Sequence, residues 1–280
     1  MIKVNASGIL TAIKVQVIAD LRPNLLGAGA FGFLTSPAIL LAIVYYFGRG
    51  KEGETLSMHF AAGIVAVISG LAVFQLMSEM YTERLGGTLL RVRTLPNGPM
   101  IWAIAKSIST LVIIFLSQIV FLIGLRLIYP ETTLTSTRLS LLIGLLLLGI
   151  AAHAPLGFIV GVLARGTYSQ LLAMVGVMLF LASSGGPAPL GIFPRWVQII
   201  QLGFPSYWTS HLSRYIVFNG DLAQWELGGA YNSALALVIL LAWTIGGYIL
   251  ATFVIKRNFR KETVGSLEGL QTKVRSQIGM

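Results

Sequence analysis

Apolar residues fall into six long runs, separated by short polar or Gly- and Pro-rich stretches. A helix needs about 20 mainly apolar residues to cross the hydrocarbon core of a bilayer. On that measure the runs predict spans at Gly27–Phe47, Met58–Met80, Ile101–Ile128, Leu139–Leu163, Tyr168–Ala182 and Tyr231–Ile255. The third is long enough to tilt or to project beyond the bilayer. Ahead of the first run, Ile9, Ala12, Ile13 and Val17 recur at helical spacing among Lys3, Lys14, Asp20 and Arg22. That pattern predicts an N-terminal interfacial helix over residues 1–26, turning near Pro23 and Asn24.

Two stretches break the alternation of span and loop. The first is Thr82–Met100, TERLGGTLLRVRTLPNGPM. Leu85, Leu89 and Val92 share one helical face, with Arg84, Thr88 and Arg91 on another. A short amphipathic helix over 82–98 is expected, stopped by Pro96, Asn97, Gly98 and Pro99. It suits a membrane surface, a docking site for a soluble partner, or an ordinary loop. The second stretch, 184–210, is too broken by Gly and Pro for a regular span and too apolar for a plain loop. A re-entrant segment is expected there, with a short helix over Ile192–Leu202. Phe193, Trp196, Ile199, Ile200 and Phe204 would give it an apolar stripe. Arg195, Gln198 and Gln201 would turn to water, and Phe193, Pro194 and Trp196 would build an outer gate.

Composition sets the class. The 280 residues are 55% hydrophobic and 11% charged, with a mean hydropathy of +0.81. Soluble domains carry roughly 25% charged residues, so the chain reads as an all-α integral membrane protein. Residues 27–255 form its six-helix domain. The absence of cysteine removes disulfides and any Cys-based metal site or nucleophile. The net charge of +10 is dispersed at the ends of the apolar runs, so no nucleic-acid partner is expected. With the N-terminus inside, only Arg49, Lys51, Arg126, Arg138, Arg195 and Arg214 of the 20 Lys and Arg residues fall outside. The excess of inside cations predicts a multi-pass protein with both termini cytoplasmic. Residues 256–280 would form a mobile basic tail touching anionic membrane lipid. The opening MIKVNASGIL lacks a strong apolar core, so no secretory signal is expected.

Little in the sequence points to catalysis. No G-x-x-x-x-G-K-[ST], H-E-x-x-H or G-x-S-x-G occurs, so no catalytic residue, metal site or cofactor is assigned to this chain. Ionisable residues inside spans usually mark function. Glu79 and Lys106 lie near span ends and can snorkel. His153, in LGIAAHAPLGF, is the deepest; it is either a hydrogen-bonded structural ring or part of a substrate path or gate. His59 and His211 are expected at the surface. Phe74, Met77 and Met80, with Met174 and Met178, either line an apolar substrate path or simply pack.

The order of these features resembles the membrane subunits of type-2 ABC exporters, the ABC-2 permeases. The segment E-R-x-x-G-T-L-x-R-x-R-x-x-P, here Glu83, Arg84, Gly87, Thr88, Leu89, Arg91, Arg93 and Pro96, is similar to the family's coupling helix. The stretch GGPAPLGIFPRWVQIIQLGFPSYW is similar to its G-x-F-x-P and P-x-x-Y motifs, through Phe193, Pro194, Pro205 and Tyr207, with Arg214 downstream. Leu85 stands where the family often has a second acidic residue. The resemblance implies docking of the coupling residues onto an ATP-binding cassette subunit, present in two copies, which would carry the ATP and Mg. It also implies a second permease chain, like or unlike, and export of an amphipathic or lipidic compound from a bacterial cell. The chain itself would not be an enzyme. The alternative is an ion-coupled secondary transporter, which needs acidic or histidine relays at depth.

Overall fold

A computed structural model describes residues 6–27, 29–47, 51–129, 135–218, 220, 223–260 and 263–277, without the side chains of 6, 33, 47 and 51–58. These residues form α1 (Ala6–Leu26), α2 (Gly29–Phe47), α3 (Lys51–Leu85), α4 (Thr88–Thr94), α5 (Gly98–Ile128) and α6 (Ser136–Leu163). Then follow α7 (Thr167–Ala182), α8 (Arg195–Leu202), α9 (Pro205–Phe218), α10 (Ser233–Phe259) and α11 (Val264–Gln277). No strand occurs among the described residues. Among the described residues five helices are long and apolar enough to cross a membrane: α2 over Gly29–Tyr46, α3 over His59–Leu85, and α5, α6 and α10. The fifth predicted span is α7, apolar but only 16 residues long, ~24 Å at the usual rise. The architecture of the described residues is all-helical and consistent with a polytopic membrane protein.

α3 and α6 form the centre, with α5, α9 and α10 around them. α6 turns Gly149, Gly157 and Gly161 toward α3. A Cβ on Gly157 would lie 2.8 Å from the Leu76 side chain, and one on Gly161 3.0 Å from Met80 Sδ. Lipid supplies no hydrophobic drive between helices, so close approach through small residues provides the packing energy. Leu76, Met80, Trp102, Phe158, Ile255 and Phe259 form one buried cluster near α4. Leu145, Leu146, Tyr207, Trp208, Leu212 and Leu240 form another toward the opposite end.

Three expectations change. α1 does not turn at Pro23 but runs on to Leu26, with Pro23 in its last turns. The single helix expected over 82–98 is three pieces: the end of α3, a turn through Gly86 and Gly87, and the seven-residue α4. Gly87 has φ 71°, a left-handed conformation that glycine adopts without steric cost. The third concerns α9, which falls largely in a stretch with no predicted span. Its sequence PSYWTSHLSRYIVF is too polar to read as buried, yet most of it is. Hydroxyls return to the backbone inside the helix: Thr209 Oγ1 donates to Pro205 O at 2.9 Å and Ser210 Oγ to Tyr207 O at 2.8 Å.

The loop after α7 lies directly on α3, where a Cβ on Gly63 would stand 2.0 Å from Gly186 O. Gly63→Ala is therefore expected to lower stability in detergent by ~1–3 kcal/mol or more, since backbone must move. Gly144→Ala, with nothing within 4 Å, should be neutral or slightly stabilising. Matched thermal melts of the two variants test this; an unshifted Gly63→Ala midpoint would unseat the loop from α3.

Candidate functional site

At the α4 end of the bundle, one lysine gathers three carboxylates. Lys106 of α5 is buried, and its Nζ lies 2.9 Å from Asp20 Oδ1 of α1, 3.2 Å from Glu79 Oε2 and 2.6 Å from Glu83 Oε1 of α3. Gln75 Nε2 donates to Glu79 Oε1 at 3.0 Å and Trp102 Nε1 to Glu83 Oε2 at 2.5 Å. Glu79 and Lys106 thus do not snorkel outward as their positions near span ends suggested. A cation desolvated by α1, α3 and α5 finds its counter-charges within the protein, which a buried charge requires.

The residues of the coupling-like segment divide by direction. Glu83 is engaged with Lys106. Arg84 is buried, its guanidinium donating to Ala164 O at 3.2 Å and Gly161 O at 3.4 Å. Carbonyls at a helix C-terminus lack intrahelical donors and carry negative partial charge, so Arg84 closes the end of α6. Leu89 is buried in the cluster around Trp102. Gly87 makes the turn and Thr88 is half-buried. Arg91, Arg93 and Pro96 are exposed, together with Thr94, Leu95 and Asn97. A partner arriving at this end meets that outer edge of α4, not the Leu89 face.

The C-terminal tail is not the mobile basic segment expected from its composition. α10 continues to Phe259, which is buried, and α11 follows. Leu267, Leu270, Gln271 and Val274 form its half-buried face. Gln271 Nε2 donates to Leu85 O at 3.0 Å, and a Leu267 methyl lies 3.1 Å from where a Cβ on Gly87 would be. α11 therefore covers the α3–α4 turn, beside the exposed edge of α4.

A cavity of about 400 Å³ opens between α2, α3, α5 and α7. Leu71, Phe74, Ile113, Ile114 and Met174 supply its apolar lining, with Gln75, Ser36 and Ser117 among the polar points. A mixed lining of that kind suits an amphipathic molecule. Of the proposed path residues, Phe74 and Met174 line this cavity. Met77 does not; it is fully buried, its Cα 3.3 Å from where a Cβ on Gly161 would be. His153 is elsewhere, buried, with Nδ1 2.7 Å from Gly149 O and Nε2 2.9 Å from Ser206 Oγ. The carbonyl can only accept, so Nδ1 carries the proton and Nε2 accepts from Ser206. Both nitrogens are engaged within the protein, the arrangement of a structural histidine.

The opposite end is held by Glu226, in the loop before α10. Its carboxylate accepts from Tyr207 Oη at 3.1 Å, from His211 Nδ1 at 2.6 Å and from Arg214 Nε. Arg214 also donates to Gly185 O at 2.8 Å, fixing the loop that lies on α3. Asn232 N–H donates to His211 Nε2 at 2.9 Å, so His211 is the neutral tautomer with its proton on Nδ1. His211 and His59, expected at the surface, are both buried; His59 sits beside Trp225 with ring centroids 5.9 Å apart. Glu226 was not anticipated as a site residue. It is one of two acids, with Asp221, in the polar and Gly-containing loop ahead of the last apolar run, and nothing local in the sequence singles it out.

α8 is turned the opposite way from the expected gate. Gln198 and Gln201 point inward, Gln198 Nε2 donating to Phe193 O and Gln201 Nε2 to Phe180 O, each at 2.8 Å. Trp196, Ile199 and Ile200 are exposed, Pro194 is exposed and Phe193 is half-buried on the core. Where the surroundings are apolar, the polar edge of a helix is the one that must face protein.

No protein-family model matches the sequence, and no curated protein matches it. The Glu226 cluster makes an acid-side prediction. Burial alone would raise the Glu226 pKa, but the hydrogen bond from His211 and the charge of Arg214 hold it at about 2, against an ordinary 4.5. Because the folded value is the lower one, this stabilisation is complete above about pH 4.5 and is lost as pH falls toward 2. Glu226→Gln should remove that acid-side slope from thermal melts in detergent. It should also cost ~3–5 kcal/mol at neutral pH, since Arg214 is left buried without its counter-charge. Superimposable pH profiles for variant and wild type would refute the latch.

Proposed function

We propose that this chain is the membrane-spanning permease subunit of an ATP-driven exporter of amphipathic or lipidic compounds, energised by a separate ATP-binding cassette subunit. The observation that carries the reading is α4: a short helix anchored inward by Leu89 and Val92, presenting Arg91, Arg93 and Pro96 at the end of the bundle. A rigid, exposed helix between two long apolar ones is the form needed to pass a partner's movement to the spans. The sequence resemblance of this segment to the ABC-2 coupling helix supports the same reading. In this proposal α7 also spans the membrane, as the fifth of six in chain order, α8 and α9 form the re-entrant segment, and α4 and both termini lie in the cytoplasm. Two chains, like or unlike, share a path in a bacterial cell membrane, and two ATPase subunits carry the ATP and Mg. The outward apolar face of α7, including Leu171, Leu172, Val175 and Met178, offers a surface for the second chain. The cavity holding Phe74 and Met174 lies beside it.

One observation favours ion-coupled secondary transport instead. Asp20, Glu79 and Glu83 bring three carboxylates together, the kind of relay such a carrier needs. Uptake or efflux in vesicles driven by an imposed ion gradient, with no ATPase present, would establish that alternative.

The docking reading is tested by co-purification in detergent. An ATPase subunit is expected to accompany the wild-type chain. The Arg91→Glu and Arg93→Glu pair should fold normally and weaken that association roughly tenfold or more, through reversed charge at the contact. Leu89→Asp should instead lose folded protein, because the charge enters a packed core. Normal association by the double-Glu variant would remove α4 from the docking surface.

A further inference from the structure

A second cavity, of about 420 Å³, lies on the other side of the bundle between α5 and α10, with Phe158 of α6 as its floor. It is distinct from the Phe74 cavity in every lining residue. Small side chains hollow it out, Ala103 from α5 and Ala251 from α10, between the larger Ile104, Tyr248 and Ile255. The lining from Met100 to Ile108 follows α5 for ~12 Å. Ser107 offers no free donor to the slot, as its hydroxyl donates to Ala103 O at 2.8 Å. Lys256 is the one charged residue in the lining.

Depth decides what fits. α10 carries no charged residue from Ala234 to Ile255, a stretch of ~33 Å that matches the hydrocarbon thickness. Lys256 therefore stands at the boundary of the hydrocarbon, with the apolar slot directly inside it. We propose that this groove binds an anionic phospholipid, one acyl chain lying between α5 and α10 and the phosphate on Lys256. The mainly apolar wall takes the chain, and the single cation in the lining selects a negative headgroup over a zwitterionic one. The site is independent of the export reading, since it uses neither α4 nor the Phe74 cavity.

Native mass spectrometry of the full chain, released from detergent with phosphatidylglycerol or phosphatidylcholine of identical chains, tests it. One phosphatidylglycerol per chain should be retained at least about fivefold over phosphatidylcholine, as expected for one cation at the membrane surface. Lys256→Gln should abolish that preference, while Arg257→Gln, outside the groove, should leave it intact. Ala103→Trp should fill the slot and lose both lipids; if it does not fold, Met100→Trp at the exposed mouth serves the same purpose. Equal retention of the two lipids by the wild type would overturn the proposal. So would equal effects of the Lys256 and Arg257 variants, which indicate diffuse attraction, or full retention by a filled groove.

Discussion

Three helices depend on one ammonium group. Lys106 holds α1 and α3 to α5 through Asp20, Glu79 and Glu83. Charges in an apolar setting are tolerated only when paired and hydrogen-bonded, so their positions are tightly constrained. With Glu83 drawn to Lys106 and Trp102, its neighbour Arg84 is aimed at the open end of α6. That pair of anchors carries α3 to Leu85, and the left-handed turn at Gly87 then starts α4 in a set direction. The exposed edge of α4 is therefore attached to the central α3–α6 pair.

The other end solves the same problem with a different residue. Glu226 enters from a loop and collects Tyr207, His211 and Arg214, all from α9. Arg214 passes the constraint on to Gly185, whose neighbour Gly186 lies against Gly63 of α3. The loop after α7, helix α9 and the loop before α10 are thus tied together beside α3. Each end of the central helix is closed by an ionic group, and the stretch between is closed by glycine-mediated contact.

Both clusters explain why residues that look solvent-directed in the sequence are inside. His211, Arg84, Lys106 and the polar side of α8 all lie near the ends of apolar runs, where water would be the default partner. Each instead has protein beside it, because helices that are neighbours in space supply donors or acceptors from distant positions: Glu83 and Lys106, Arg84 and Ala164, Gln201 and Phe180. In α8 the usual rule inverts, with glutamines inward and Trp196 outward, the orientation that apolar surroundings would favour.

The positions of the long helices were legible in the sequence, because crossing a bilayer requires an uninterrupted apolar length and internally satisfied backbone. Predicted runs such as Ile101–Ile128 and Leu139–Leu163 correspond closely to α5 and α6. The turn residues after α4, the proline- and glycine-rich break before α8, and the motif that places Arg91, Arg93 and Pro96 at one end were legible for the same local reasons. The division of that motif into an inward half, with Glu83, Arg84 and Leu89, and an outward half was not. Nor were α9, the docking of α11 on Leu85, or the role of Glu226. Local periodicity reports which residues share a helix face, but a face has no direction until other helices surround it. Burial of a charge depends on a partner that can lie anywhere in the chain, and only the tertiary structure brings Asp20 to Lys106 or Glu226 to Arg214.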